Sequence, residues 1–503
     1  MIKKKYLPGE RAAQVGVFML ISFFPIFVTK AYSNITATKY FTFSILAAFF
    51  LALCLICKVA TYDFTTGKLL DKNKEISKPD LFYLLFVIVA IVSTVSSRFP
   101  LASLGGGGGR RMGLVMILAT FFAYIFISKF YRTRPKEFYL FGGTVIFSSI
   151  FGFFQFLGFD PLNMLVNLRK FDFTRFISFS GNINVHASFI CIGAPFAMYM
   201  FCHALKKKDF YFWLTVSVCG FIGLLTCNSD SGYLGIFVSF VVLAILSAKQ
   251  RKSFIRYLVL VATFFLTCGF FRFMRNVFED QSRNITFLGR IVTNPAVVML
   301  VSVNAILFAG FLYFSVFEPK HYKSIQKAII ILMCTVVGAF ALIVFWFTIV
   351  DKETDLGMFN YYFRFNDSWG TERGYVWTRM LRIFRDFPFY RKLIGSGPDT
   401  AAFELVSQYG HEMRTQLFYY FDSAHNDVIQ YLVTLGLWGA LTYLLLVFTS
   451  AKSGLESDSV YSRAAVLSVI AFFAQGFVNI NQPITTPLIF VFMGLTQCKK
   501  YEG

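Results

Sequence analysis

The chain has 503 residues, of which 56% are hydrophobic, 19% aromatic and only 15% charged, with a mean hydropathy of +0.61. A water-soluble protein of this length needs far more polar surface, so the bilayer is the expected solvent for most of it. The formal charge of +21 invites a nucleic-acid partner. Its distribution excludes one, because the cations sort by side of a membrane instead of gathering in a single patch.

Fourteen apolar runs free of Asp, Glu, Lys and Arg follow one another, near 12–28, 40–57, 81–97, 112–128, 138–159, 185–205, 210–227, 231–248, 257–271, 296–317, 328–350, 428–450, 464–478 and 485–498. A helix crosses the hydrocarbon with roughly 17–25 residues, which leaves 257–271 and 485–498 as the least secure spans. The pattern predicts an all-α fold, a polytopic transmembrane helical bundle of about 12–14 spans with one large extracytoplasmic loop. The chain divides into a bundle over 1–350, a loop over 351–427, and three last spans with a short tail over 428–503. The first run lacks a small-residue cleavage site and is followed at once by a second, so no cleavable signal peptide is expected. The nine cysteines lie in or beside the runs and imply no disulfide framework; Cys54 and Cys57 read as packing residues, not metal ligands.

With the N-terminus inside, the inner segments hold 21 Lys and 6 Arg, and the outer ones 5 Lys and 16 Arg. Nine outer cations belong to the long loop; setting it aside leaves 27 inside against 12 outside. That asymmetry predicts a multi-pass protein of the plasma membrane with both termini cytoplasmic and 351–427 outside. Lysine serves topology and anionic lipid on the inner side. Arginine on the outer side offers a planar fork for phosphate oxygens, or else an anchor among lipid headgroups.

The inner connections are short and basic: "KKKD" at 206–209, "KQRK" at 249–252 and "EPKHYKSIQK" at 318–327, with a longer Lys-rich connector at 58–80. The outer ones carry the unusual sequence. In "LGGGGGRRMGL" (Leu104–Leu114) five glycines precede Arg110 and Arg111 at the start of the fourth span. Glycines let a backbone turn its N–H groups toward an anion, and the helix N-terminus adds partial positive charge; the alternative is a plain turn. "FTRFISFSGNINVHASF" (Phe173–Phe189) brings Arg175, Asn182, Asn184 and His186 to the sixth span, where His186 is either structural or part of a polar pocket. "CNSDSGYLG" (Cys227–Gly235) is a tight turn whose Asp230 has the charge to pair with an outer arginine.

In the long loop, Glu372–Phe387 reads as an amphipathic helix: Trp377, Met380, Leu381 and Phe384 form one apolar stripe, while Arg379, Arg382 and Arg385 recur on the other side. Such a helix suits the headgroup plane, with its aromatics in lipid. Its local positive charge is what a phosphate site needs, although an interfacial anchor has the same composition. Pro388 ends it, and "GSGPD" (Gly395–Asp399) is a turn. His425, expected in the first turn of the twelfth span, is held neutral there by the helix N-terminus and nearby arginines. A neutral imidazole beside cations is a candidate general base, with Asp422, Asn426 or Asp427 available to orient it.

The succession "RGYVW", "LIGSGPDTAAF" and "AHNDVIQYLVTLGLWG", preceded by "GGGGGRRMGL" and "SGNINVHASFICIGAPF", resembles the O-antigen ligase and O-antigen polymerase superfamily of bacterial membrane proteins. The resemblance covers roughly residues 95–490, and its specific part is 370–440. It implies transfer of a glycan from an undecaprenyl-diphosphate carrier to a hydroxyl of a glycan, lipid or protein acceptor on the outer face, with no cofactor and no essential metal. It implies that His425 deprotonates the acceptor, that Arg373 holds the diphosphate, and that Arg110 or Arg111 and Arg175 support it. Arg379, Arg382, His186 and Asn426 complete the expected substrate-binding set. A flippase and a chain-length regulator are the partners a polymerase would work beside. Two positions depart from the family pattern: Asp230 stands where an Arg is frequent, and Thr434 where a Glu is.

Other classes fit less well. Coupled transporters keep ionisable groups near the midplane, and the fourteen runs carry no acidic or basic residue there. No internal repeat is evident. A non-catalytic assembly protein has no need of a paired His and Arg.

Overall fold

The computed structural model describes residues 9–60, 76–107, 110–166, 168–315 and 319–499. Most of the Lys-rich connector, together with Gly108 and Gly109 of the glycine run, lies outside them. Every one of the fourteen apolar runs carries a helix. In chain order the main helices are α1 (Glu10–Phe18), α2 (Ile35–Ala60), α3 (Lys78–Val95), α4 (Pro100–Gly105), α5 (Leu114–Phe130), α6 (Pro135–Phe156), α7 (Ile183–Cys202), α8 (Lys207–Cys227), α9 (Asp230–Ser247) and α10 (Arg251–Val277). They continue with α11 (Phe287–Val292), α12 (Pro295–Phe314), α13 (Pro319–Phe345), α14 (Trp369–Asp386), α15 (Phe389–Ile394), α16 (Ala401–Glu412), α17 (Asp427–Glu456), α18 (Val460–Gly476) and α19 (Thr486–Leu495). Among the described residues the only sheet is one antiparallel pair, Phe176–Ile177 with Gly181–Asn182.

Ten helices are long and apolar enough to cross a membrane among the described residues, and α5, α18 and α19 are shorter apolar helices. The run at 257–271 is the middle of the 27-residue α10, so its brevity in sequence reflects the cations at both ends and not a short helix. The run at 485–498 does give a short helix, the 10-residue α19, all of it buried. The first run passes from α1 through a π turn at Met19–Phe23, and buried Lys39 donates to the carbonyls of Phe24 and Pro25 at 2.7 and 2.8 Å just beyond it.

Local chemistry sets the helix ends. Ser77 and Asp80 form a reciprocal capping box on α3, and Pro79, Pro135 and Pro295 occupy first-turn positions where a missing N–H costs nothing. At the centre stands α7, buried at every residue from Val185 to Cys202 and packed by α8, α9 and α18. By contrast α13 exposes its apolar side chains, as a helix facing lipid does.

A polar network ties α7, α9 and α18 together at the end of the bundle that carries the long loop. The Asn479 amide donates to Gln475 Oε1 at 2.6 Å and to Ser188 Oγ at 3.2 Å, and Ser229 Oγ donates to Asn184 Oδ1 at 2.6 Å. Buried polar groups must find partners inside when no water is at hand, so these bonds fix the "SGNIN" and "NSDSG" segments against each other.

Candidate functional site

The site is built on a break in α17. Gly436 leaves helical geometry at φ 70° and ψ −170°, a region open in practice to glycine alone. Near the break the carbonyls of Val433 and Thr434 accept from the loop: the N–H groups of Ser396 and Gly397 donate to them at 3.1 and 2.9 Å, and Ser93 Oγ donates to Thr434 at 3.0 Å. The two backbones touch. A Cβ on Gly436 would lie 2.3 Å from the carbonyl carbon of Leu393, and one on Gly395 would lie 2.3 Å from that of Thr434. Ser97 Oγ bonds the carbonyl of Ser396 at 2.6 Å, which also binds the strap at 395–397 to the end of α3. Two residues on, Asp399 is buried in the left-handed region and accepts the Met112 N–H at 3.1 Å.

The second support is α14. Gly370, Thr371 and Glu372 all have φ near 60°, so the regular helix starts at Arg373. Its buried face is Tyr375, Val376, Met380, Ile383 and Phe387, packed on Ala401, Leu405, Met413, Phe421, Ala424 and Val433. This face is rotated from the expected stripe, since Leu381 is 46% exposed while Val376 and Ile383 are fully buried. The apolar side of the helix meets α16 and the start of α17, not lipid. From the flank of that face Trp377 Nε1 donates to the carbonyl of Ala424 at 3.0 Å, and Gln430 Oε1 accepts the Ala424 N–H at 2.9 Å. The residue before His425 is therefore held at both polar groups of its backbone.

His425 has φ 51° and stands outside α17, not within its first turn. Asn426 takes the cap instead, accepting from the N–H groups of Val428 and Ile429 at 2.9 and 3.0 Å. The imidazole packs edge-on to Phe421, ring centres 5.6 Å apart, and the residue is half-buried. Burial, then the charges of Arg110 and Arg373, push its pKa down to about 3, so the ring is neutral at physiological pH.

Arg110 is buried and paired with Asp422, and its Nε has no partner among the described residues. Arg373 is half-buried; Nη1 donates to the Gly370 carbonyl at 2.5 Å and to Thr371 Oγ1 at 3.1 Å, and its Nε is likewise unpartnered. Burial lowers the Arg373 pKa and the Asp230 carboxylate opposes that. Asp230 accepts from the Tyr362 hydroxyl at 3.1 Å, and its other oxygen is buried without a partner. Asp399, behind Arg110, is pushed up to about 8 by burial, against the pull of the Met112 amide and Arg110. Two guanidiniums, each with an unpartnered Nε, thus act on a neutral, half-buried imidazole, an arrangement able to bind an anion and to accept a proton beside it.

The remaining candidates lie elsewhere. Arg111 turns to the rings of Tyr40 and Phe41, 5.6 and 5.7 Å away. Arg175 sits on an exposed 3-10 turn, 3.8 Å from Asp172. Arg379 is occupied by Asp367 and Glu412, both at 2.5 Å, and lies over the Tyr375 ring. Arg382 points to solvent. His186 is fully buried in α7, with Ser180 Oγ 3.3 Å from Nδ1. Asp427, offered as an orienting carboxylate, is buried and 3.4 Å from the Tyr443 hydroxyl. Sequence reasoning missed Asp399 and Gln430. The Gly-Ser-Gly-Pro run ahead of Asp399 was the available signal, because such a strap permits a close approach of backbones.

A family model described as O-antigen ligase matches residues 285–444, which contain Arg373, Asp399, Asp422 and His425. No curated protein matches the chain.

Proposed function

We propose, from the match of residues 285–444 to an O-antigen ligase model and the geometry around His425, that this chain moves a glycan from an undecaprenyl-diphosphate carrier to an acceptor hydroxyl at the outer face of the bacterial plasma membrane. The observation that supports this reading is His425 on a left-handed turn against Phe421, close enough to Arg110 and Arg373, each with an unpartnered Nε, for both charges to act on its ring. The acceptor oxygen attacks the anomeric carbon as His425 takes its proton. A new C–O bond forms, the bond from that carbon to the diphosphate breaks, and the electron pair leaves with the diphosphate. Charge grows on the leaving oxygens, and donors fixed in advance stabilise it without reorganisation.

Arg373 and Arg110 are the diphosphate ligands in this scheme, with Asp422 surrendering part of its hold on Arg110 when the donor arrives. Arg111, Arg175, Arg379 and Arg382 act outside the reacting centre, in headgroup contacts or in holding the loop. The excess of inner cations, 27 against 12 outside the long loop, supports an outward loop and cytoplasmic termini. A lipid-linked donor explains why the basin sits at the end of the bundle, since its tail never leaves the bilayer.

The test is transfer from a lipid-diphosphate glycan by purified protein in liposomes. His425→Ala should lower turnover by about 10²–10⁴-fold, the usual worth of a positioned base, with the thermal transition unchanged. Arg373→Lys should fail similarly, because a point charge cannot replace a fork. Wild-type turnover in both variants would sink the reading.

A further inference from the structure

Asn304 stands in the middle of a membrane span and faces outward. It is the tenth of the 20 residues of α12, about 14 Å from either end at roughly 1.5 Å per residue, and so near the bilayer midplane. The buried residues of this helix are Ser302, Ala305, Ala309 and Leu312, and its main neighbour is α10. The opposite side is apolar and uncovered, with Leu300, Leu307 and Phe311 at 66%, 65% and 62% exposure. Asn304 is exposed on that side, in one stripe with them at the helical spacings of three, four and seven. Among the described residues it is the one exposed carboxamide set inward from the ends of a span.

A hydroxyl in such a place satisfies itself, as Thr263 on α10 does by donating to the Val259 carbonyl at 2.8 Å. A carboxamide does so only in part. Asn304 Nδ2 donates to the Leu300 carbonyl at 2.7 Å, which leaves its second N–H and the acceptor Oδ1 without a partner among the described residues. Oδ1 has no recourse within α12, because each backbone N–H of a helix interior is already bonded to the preceding turn. Hydrocarbon supplies no donor either, and an unmet polar group there is costly.

We propose that this face of α12 is the contact between two copies of the chain, with the two Asn304 carboxamides bonded to each other across a two-fold axis along the membrane normal. The occupant follows from the side chain. A carboxamide is its own complement, since the spare N–H of each copy meets Oδ1 of the other. Two copies inserted in the same sense present like residues at like depth, so a symmetric contact through α12 sets Asn304 against Asn304. Leu300, Leu307 and Phe311 then pack around the pair. A lipid chain offers Oδ1 nothing, and an unrelated protein has to bring a donor to this one depth.

The experiment uses the full-length protein, carrying donor or acceptor fluorophores, in liposomes of increasing lipid content. Energy transfer should fall as lipid is added, as for a reversible dimer. Asn304→Leu, which suits hydrocarbon and should leave the thermal transition unchanged, should weaken association about three- to twentyfold, the range for hydrogen bonds between membrane helices. Asn304→Gln keeps the donors and the acceptor and should restore most of it. Oxidative cross-linking reads the position, in a Cys334→Ser background because Cys334 is the exposed cysteine. Leu307→Cys should give disulfide-linked dimers, whereas Phe49→Cys, equally open on α2, should give few. A monomer at every dilution, with α12 bare or held by a different polypeptide, would overturn the contact. So would association indifferent to Asn304→Leu, or cross-linking as efficient at position 49 as at 307.

Discussion

In the proposed reaction His425 serves as a base, and its strength is set by what surrounds it. In the free protein, burial and two guanidiniums hold its pKa near 3, four decades or so below the pH at which it must work. That keeps the ring unprotonated but makes it a poor proton acceptor. A bound diphosphate reverses part of this, because its charge offsets Arg110 and Arg373 and raises the ring's affinity for a proton when the acceptor hydroxyl needs to lose one. The sign follows from the direction of the shift: a depressed imidazole pKa means that acid removes the base only far below the ordinary value near 6.5. The pH profile of kcat/KM, which reports the free protein, should therefore show no acid limb at 5–7 from this residue. The profile of kcat, which reports the donor complex, should show its acid limb at higher pH. Coincident limbs near 6.5 in both profiles would mean that the arginines do not act on the ring.

At the level of elements, the loop is positioned by two contacts that the apolar pattern could not display. One is the break in α17, where the run 428–450 reads as an unbroken span and only the strap 393–397 explains why Gly436 must be glycine. Gly436→Ala forces a side chain into a region closed to it and onto the Leu393 carbonyl; it should cost at least about 1–3 kcal/mol, seen as a lower thermal transition in detergent, and should lower turnover with it. An unchanged transition would mean that the helix is straight. The other contact is the hold on Ala424. Trp377→Phe keeps most of the ring volume but removes the N–H that bonds the Ala424 carbonyl. It should reduce kcat several-fold, leave the donor KM near its wild-type value and spare the thermal transition; a change confined to KM would argue against a role in aiming His425. The amphipathic period of α14 was legible, but its buried face was not, because which stripe is covered depends on α16, contributed by residues further along the chain. For the same reason the pairing of Arg110 with Asp422, separated by 312 positions, had no local signature.

For the whole molecule, charge and hydropathy speak about orientation and span number, and packing speaks about which of the spans form the interior. All fourteen runs were readable as helices because the bilayer obliges every backbone group to bond within its own segment. What the runs did not disclose is that α7 and α19 are buried among other helices while α13 faces outward, since in an apolar solvent core and lipid-facing positions share one composition. Orientation rests on a separate argument, the 27 inner cations against 12, and the proposed reaction depends on it: its donor and acceptor would have to meet on whichever side holds residues 351–427. A protease site inserted between Lys352 and Glu353, in an exposed turn, should be cut when protease is added to intact spheroplasts. The same site placed between Lys206 and Lys207, at the opposite end of α8 from Asn228, should be cut only after the membrane is opened. The inverted pattern would put His425 in the cytoplasm and remove the outer-face transferase reading, however well the basin suits a diphosphate, because the lysines that set topology would then stand on the side that positive charge avoids.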